Sequence, residues 1–280
     1  MDASQNAEWI RSADNTTLHV REWGRADGPE ILLIHGLAQS HLSFVRQFES
    51  DLADTHRIVA FDLRGHGMSE KPPDPVCYQD GRRWADDLQA VIVEKKLRAP
   101  VVAGWSLGAR VIRQYLMHYG DRRLSAINMV SCRPIEDPSV SGRGAPPPIP
   151  AEASPDIAAQ IATTIAFLRA CFEIQPEARD FETMLAFNMM VPLDVRRAIA
   201  GWKVGIPDAI KALNAVTVPT LVTHGTADRL IMPGAAQMTA SAIPNAKLSL
   251  YEGCGHAPFY EDAVRFNREL KAFVAQTWRG

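Results

Sequence analysis

The chain has 280 residues, of which 46% are hydrophobic and 22% charged, and its formal net charge is −2. This length and composition are typical of a soluble globular protein with one sizeable core, or one core with an insertion. Scattered charges without a basic stripe disfavour nucleic acid as a partner, and no apolar run approaches the ~20 residues that span a membrane. We expect a cytoplasmic protein, since no targeting segment is recognisable; its oligomeric state stays open.

The cysteines and histidines give no sign of a metal site or a disulfide framework. Four cysteines lie far apart without a Cys-x-x-Cys pair: Cys77, Cys132, Cys171 and Cys254. Such a distribution fits reduced thiols. The eight histidines show no metal-ligand spacing. We therefore expect neither a metal nor a cofactor.

The first third of the chain alternates strand and helix patterns. Residues 8–11 and 17–22 predict an opening antiparallel hairpin. The continuous apolar runs 31–34 and 57–61 are typical of buried central strands, and helical patterns follow them over 44–52 and 84–92. This alternation predicts an α/β protein with a mostly parallel central sheet flanked by helices.

Two loops follow the predicted central strands. In the first, Gly36 allows a close approach of the backbone, so the N–H of Leu37 is a candidate donor to an oxyanion. We interpret His35 as a satisfied polar residue beneath this turn. The second loop, 62–69, contains two glycines. We interpret it as a sharp turn that forms hydrogen bonds within itself, and we assign three of its polar residues to the scaffold: Asp62, Arg64 and His66.

The next strand leads directly into a helix through Gly104-Trp105-Ser106-Leu107-Gly108. A serine on such a bend has a strained backbone, and the residues two before and two after it must be small. The bend also places the serine at a helix N-terminus, where free N–H groups bind anions. Ser106 is thus the candidate nucleophile, and the N–H of Leu107 is the second candidate oxyanion donor.

Residues 133–213 break the alternation of strands and helices. Seven prolines between 134 and 155 predict an extended connection, and apolar residues recur at helical spacing over 157–172, 181–187 and 195–202. We therefore predict a core of residues 1–132 and 214–280 with a helical cap, 133–213, inserted over the site. The candidate residues of a hydrophobic pocket are Trp105, Phe187, Met190 and Trp202.

The sheet resumes over 218–223, and the loop after it carries Asp228, whose carboxylate can accept a hydrogen bond from an imidazole. Glu136 and Asp137 are rival acids, because they follow the preceding core strand. The last strand, 246–251, leads into a glycine-rich loop with His256. The order Ser106, Asp228, His256 predicts a catalytic triad.

Five stretches, 35–36, 62–69, 104–108, 224–228 and 253–256, resemble the motifs of the α/β-hydrolase superfamily. Within it the chain is most similar to bacterial serine esterases and to the cofactor-free haloperoxidase and perhydrolase group. The resemblance implies an α/β-hydrolase fold. Dehalogenases and epoxide hydrolases of this fold have an aspartate at the position of Ser106, which argues against both activities.

These residues predict a serine hydrolase that cleaves a carboxylic ester, thioester or lactone of a small hydrophobic substrate through an acyl-enzyme. One alternative uses the same triad for perhydrolysis, for halogenation through a peracid, or for C–C bond hydrolysis. The other alternative is a small-molecule receptor on a hydrolase scaffold.

Overall fold

The structure is a computed structural model that describes residues 7–133, 140–142 and 156–280. Its strands are β1 (Ala7–Arg11), β2 (Thr17–Gly24), β3 (Glu30–Ile34), β4 (Arg57–Phe61), β5 (Val101–Trp105), β6 (Ala126–Val130), β7 (Thr220–Gly225) and β8 (Lys247–Tyr251). They form one sheet in the order β1-β2-β4-β3-β5-β6-β7-β8. β2 is antiparallel to both β1 and β4, and every other neighbouring pair is parallel. The predicted mostly parallel sheet is confirmed.

The helices are α1 (Val45–Phe48), α2 (Leu52–Thr55), α3 (Val76–Gln79), α4 (Gly81–Glu94), α5 (Leu107–Tyr119), α6 (Ile157–Cys171), α7 (Ala178–Met189), α8 (Leu193–Gly201), α9 (Ile206–Asn214), α10 (Gly234–Ala242), α11 (Pro258–Glu261) and α12 (Ala263–Thr277). A 3₁₀ helix, His41–Phe44, precedes α1. Across the three described ranges, no helix combines the length and the apolarity needed to cross a membrane.

Successive residues of the central strands pack on opposite faces of the sheet. Leu32 and Val59 belong to one core cluster, whereas Ile31 and Ile58 belong to the other. This is the two-residue period of a strand whose two faces are both covered. Because β3, β5 and β6 are buried along their whole length, their sequences are apolar apart from Glu30 and Asn128.

The single helix predicted over 44–52 is broken into three short pieces. Ser50 is the reason, because its Oγ donates to the carbonyl of Gln47 (2.7 Å) and accepts from the N–H of Leu52 (3.2 Å). A serine that bonds to nearby backbone groups competes with the helical hydrogen bonds. The apolar spacing alone did not reveal this interruption.

Among the described residues between β6 and β7, in the segment predicted to be a cap, there are four helices. α6, α7 and α8 coincide with the three helical patterns of the sequence, and α9 is an additional helix that those patterns did not assign. The seven prolines of the predicted connection lie outside the described residues, as do Glu136 and Asp137. The domain boundaries at 132/133 and 213/214 stay a prediction.

The loop after β4 is a buried network of charged side chains. The guanidinium of Arg64 is inaccessible to solvent and forms two hydrogen bonds to Asp87, of 2.6 and 2.7 Å. Asp62 bonds to Nδ1 of His41 (2.8 Å) and of His19 (3.1 Å), and the ligand-type atoms of these three residues lie within 4.8 Å of one another. These residues hold the loop in place, as expected of a scaffold.

His35 ties the loop after β3 to the loop after β4. Its Nδ1 donates to the carbonyl of Gly36 (2.8 Å), and its Nε2 accepts from the N–H of Leu63 (3.0 Å). Complete burial lowers the pKa of His35 to about 4, so the ring is neutral at pH 7. His66, whose ring centroid lies 5.2 Å away, has its pKa lowered to about 3, again chiefly by burial.

These two histidines predict a loss of stability in mild acid. In the unfolded chain a histidine titrates near pH 6.5. Each of the two rings binds a proton more weakly in the folded protein than in the unfolded chain. The stability that the two histidines contribute is therefore fully present above about pH 6.5 and decreases as the pH falls towards 4. We expect the free energy of unfolding, measured with urea, to decrease over this range with a contribution of about 1.4 kcal/mol per pH unit from each histidine.

A His66→Gln variant should lose part of this slope between pH 6.5 and 4.5, whereas His118→Gln, on an exposed position of α5, should keep the slope of the unmodified protein. Identical slopes in all three proteins would contradict the assignment of neutral buried rings.

Candidate active site

Four loops that follow parallel strands meet at one edge of the sheet. They follow β3, β5, β7 and β8, and they carry Leu37, Ser106, Asp228 and His256 in that order. The carboxyl ends of parallel strands lie at the same edge, where α/β proteins place their binding sites. The topology therefore brings together residues that are up to 219 positions apart in the chain.

Ser106 occupies a sharp turn between β5 and α5. Its backbone has φ of 54° and ψ of −107°, a strained conformation for any residue with a side chain. The turn requires glycine on both sides: a Cβ on Gly104 would lie 2.6 Å from the backbone of Gly108, and one on Gly108 would lie 2.2 Å from the carbonyl oxygen of Ile34. The predicted strand–turn–helix context of the serine is confirmed.

Asp228 holds His256 from behind. Nδ1 of His256 lies 2.7 Å from Oδ2 of Asp228, and both side chains are buried. The other carboxylate oxygen, Oδ1, accepts the N–H groups of Leu230 (2.8 Å) and Ile231 (3.0 Å). Burial by itself would raise the pKa of Asp228, but the charges and hydrogen bonds of His256 and His224 outweigh burial and hold this pKa below its usual range. The carboxylate is therefore ionised at neutral pH.

His224 is a second histidine on the same carboxylate. Its Nε2 lies 3.1 Å from Oδ2 of Asp228 and 3.0 Å from the carbonyl oxygen of Ile231. Sequence reasoning missed this contact, although the four-residue spacing between His224 and Asp228 was a signal. His224 therefore contacts Oδ2, the carboxylate oxygen that does not accept the two backbone N–H groups.

The His256 backbone is fixed by its neighbours in the fold. Its N–H donates to the carbonyl of Cys171 at the end of α6 (2.9 Å), and its carbonyl accepts the indole N–H of Trp105 (2.7 Å). The rings of Trp105 and His256 are 5.6 Å apart between centroids. Trp105 therefore supports the histidine loop from β5, the strand that leads into Ser106.

Glu261 fastens the same loop to the inserted helices. Its carboxylate accepts the N–H groups of Gly255 (3.0 Å) and Ala257 (3.3 Å), which flank His256, and those of Glu173 (2.9 Å) and Ile174 (2.8 Å), which follow α6. Burial raises the pKa of Glu261 and outweighs the opposing effect of these bonds. No sequence pattern identified this residue, since its partners are backbone groups.

Ser106 and His256 line one cavity of about 640 Å³, together with Leu37 and Leu107. A Cβ on Gly36 would lie 3.4 Å from Cβ of Ser106, so the loop after β3 lies directly against the serine. Leu107 is the first residue of α5, and the N–H of a first helical residue has no partner within its helix. Both predicted oxyanion donors thus belong to residues beside Ser106.

The predicted pocket residues have different surroundings. Trp202 lines the cavity, but Trp105, Phe187 and Met190 are not among its lining residues. Trp105 lies beneath the histidine loop, Phe187 is buried in a core cluster, and Met190 is 41% exposed. Helical spacing identifies an apolar face, but it does not tell which surface that face packs against.

Cationic side chains that the sequence analysis did not single out also line the cavity. They come from separate parts of the chain: Arg110, Arg113, Arg133, Arg196 and Lys203. None of the described lining residues is acidic.

Comparisons with known proteins agree with this architecture. Residues 31–269 match the model of a family described as the alpha/beta hydrolase family. A crystal structure from Burkholderia cenocepacia, of a protein assigned as an aryl esterase, is 36% identical, with a TM-score of 0.91 over 97% of this chain and 98% of its own. The esterase RhEst1 from Rhodococcus sp. ECU1013 is 29% identical, with a TM-score of 0.89 over 97% of this chain and 99% of its own.

Among relatives compared by sequence, a non-heme chloroperoxidase from Streptomyces lividans is 27% identical over 283 aligned positions, which cover 95% of this chain and 98% of the relative. These similar proteins, two esterases and a chloroperoxidase, represent the two groups that the sequence motifs resemble. The predicted α/β-hydrolase fold is confirmed. The chain belongs to the alpha/beta hydrolase family.

Proposed function

We propose that the protein is a serine hydrolase that cleaves a carboxylic ester, thioester or lactone through an acyl-enzyme. Ser106 is the nucleophile, His256 the general base and Asp228 the acid that orients it. One observation carries the proposal: a serine on a strained turn shares a cavity with a histidine that has an ionised carboxylate 2.7 Å behind it. The 36% identity to the Burkholderia protein supports ester hydrolysis.

In the proposed mechanism, His256 transfers the proton of Ser106. Because Asp228 is ionised, Nδ1 of His256 carries the hydrogen of their bond, and Nε2 is left to accept the proton of Ser106. Ser106 Oγ then attacks the substrate carbonyl, and the N–H groups of Leu37 and Leu107 stabilise the oxyanion. The imidazolium gives its proton to the leaving alcohol. Water then attacks the acyl-enzyme while His256 takes a proton from it, and His256 returns this proton to Ser106 Oγ as the carboxylic acid leaves.

The inserted segment acts as a cap in this proposal. Arg196, Ile199 and Trp202, from α8 and its end, line the cavity that contains Ser106. We assign substrate selection to the cap, 133–213, and the chemistry to the core, 1–132 and 214–280. A change in the cap should alter which esters fit, whereas a change in the triad should remove turnover of all of them.

Perhydrolysis is the second candidate, favoured by the likeness to the Streptomyces chloroperoxidase. Hydrogen peroxide would replace water in the attack on the acyl-enzyme, which releases a peroxy acid. The peroxy acid then oxidises a halide ion to hypohalous acid and returns to the carboxylic acid. Ser106, His256 and Asp228 keep the same roles in this reaction.

Ser106→Ala should lower kcat for 4-nitrophenyl butyrate by at least about 10³-fold, since the attacking oxygen is absent. Ser141→Ala removes another hydroxyl that lines the cavity and should stay within a few-fold of the unmodified enzyme. Release of 4-nitrophenolate measures both, and circular dichroism checks folding. Full turnover by folded Ser106→Ala would refute the assignment of the nucleophile.

The two candidate reactions separate in one assay. With hydrogen peroxide, acetate and bromide, the proposed hydrolase should halogenate a dye far more slowly than it hydrolyses 4-nitrophenyl acetate. Halogenation that is as fast as hydrolysis and requires Ser106 would favour perhydrolysis as the main activity.

Glu261→Gln should lower kcat about tenfold with little change in KM, because an amide group would face N–H donors and shift the His256 loop. Glu252→Gln is the matched control, since Glu252 is an exposed carboxylate near the start of the same loop. Steady-state kinetics on 4-nitrophenyl butyrate measure both constants. An unchanged kcat would show that the four backbone bonds do not position the base.

A further inference from the structure

We propose that the ester cleaved by this protein carries a negatively charged oxygen group, of which a carboxylate is the simplest, bound by the cationic side chains of the active-site cavity. The inference rests on the proposed function and names a substrate class for it.

The cations reach the cavity from both the core and the inserted segment. Arg110 and Arg113 lie on α5, the helix that begins after Ser106, while Arg196 lies on α8 and Lys203 follows that helix. No acidic residue stands among the described lining residues. Cationic side chains that line a cleft raise the local concentration of ligands with the opposite charge.

Arg196 is the most informative of these cations. Only 8% of the residue is exposed, and its guanidinium donates to two main-chain carbonyls, of Val191 (Nε, 3.2 Å) and of Asn188 (Nη2). Within the described ranges, no carboxylate forms an ion pair with it. Burial lowers the pKa of Arg196 to about 10, so it remains charged at neutral pH.

A buried charge without a counter-ion is costly, and an anionic ligand compensates it. Arg196 donates to the two carbonyls through Nε and Nη2, so its Nη1 takes part in neither of these hydrogen bonds. Guanidinium groups bind carboxylates with strong, charge-assisted hydrogen bonds. The wall of the cavity that contains the nucleophile is therefore a favourable place for an anion.

Arg110 is a second cation held in a fixed position. Its guanidinium lies 3.8 Å from the ring centroid of Trp202 and donates to the Trp202 carbonyl, and Trp202 stacks on Trp84 at 5.2 Å. The N–H of Arg110 bonds to the carbonyl of Ser106 (3.3 Å), one helical turn away. A charge that is already in place loses little entropy when it binds a ligand.

The rest of the cavity wall is largely apolar. It includes Leu37, Leu107, Phe167, Ile199, Leu230 and Ile231. Such a wall accommodates hydrocarbon next to the cations. An ester with an apolar chain or ring and one anionic end satisfies both parts of the cavity, whereas a neutral ester satisfies only one.

The test uses pairs of esters that differ by one charge. On the acyl side we would compare the 4-nitrophenyl monoester of adipic acid with its methyl ester; on the alcohol side, 4-acetoxybenzoate with methyl 4-acetoxybenzoate. In at least one pair, kcat/KM should be about tenfold higher for the anionic member. This preference should weaken at high salt, which screens charges at the cavity rim. The rate with Ser106→Ala gives the background for each ester.

Charge-changing variants locate the effect. Arg196→Met and Lys203→Glu should each reduce the preference for the anionic ester several-fold, mainly through KM, while Arg196→Lys should keep most of it. Lys203 is exposed, so its variant tests the proposal even where Arg196→Met does not fold. Arg197→Met is the control, because it removes a cation of the same helix that does not line the cavity.

Each result has a defined meaning. A preference in either pair that decreases in the Arg196→Met or Lys203→Glu variant, but not in Arg197→Met, supports the inference. Equal kcat/KM within both pairs, or a preference that these two variants leave unchanged, overturns the inference. The proposed function still stands in that case, provided that turnover requires Ser106. Turnover that does not require Ser106 overturns the proposed function itself.

Discussion

The hydrogen bond between Asp228 and His256 is the interaction on which the site depends. A buried carboxylate is stable only when donors surround it, and here two backbone N–H groups and two imidazoles do so. The charge thus held determines which nitrogen of His256 carries the hydrogen. Without this charge the ring has no fixed tautomer, and in the proposed mechanism the hydroxyl of Ser106 then has no defined base.

The fold maintains this bond with contacts from both of its parts. The core supplies Trp105 beneath the histidine loop and the strained turn that exposes Ser106. The inserted segment supplies the carbonyl of Cys171, which accepts the N–H of His256. It also supplies the N–H groups of Glu173 and Ile174, which bond to the Glu261 carboxylate that holds the His256 loop. The helices between β6 and β7 therefore help to place His256 as well as to line the cavity.

The sequence predicted those parts of the molecule that local rules determine. The buried central strands are largely apolar, and the turn at Ser106 needs glycine at two fixed positions, so both were recognisable without coordinates. Contacts between distant elements were not recognisable. Arg110 and Arg196 share a cavity because Trp202, which follows α8, packs on the Arg110 guanidinium of α5. Glu261 bonds to backbone groups, which side-chain patterns do not reveal.

The most direct test of the central claim is the rate at which a fluorophosphonate probe labels Ser106, followed by mass spectrometry of the digested protein. In the unmodified enzyme the phosphonyl group should be found on the peptide that contains Ser106. In a folded Asp228→Asn variant, labelling of that peptide should be slower by about 10³- to 10⁴-fold, because His256 loses the partner that fixes its tautomer. Equal labelling rates in the two proteins, or a label on a different residue, would contradict the account.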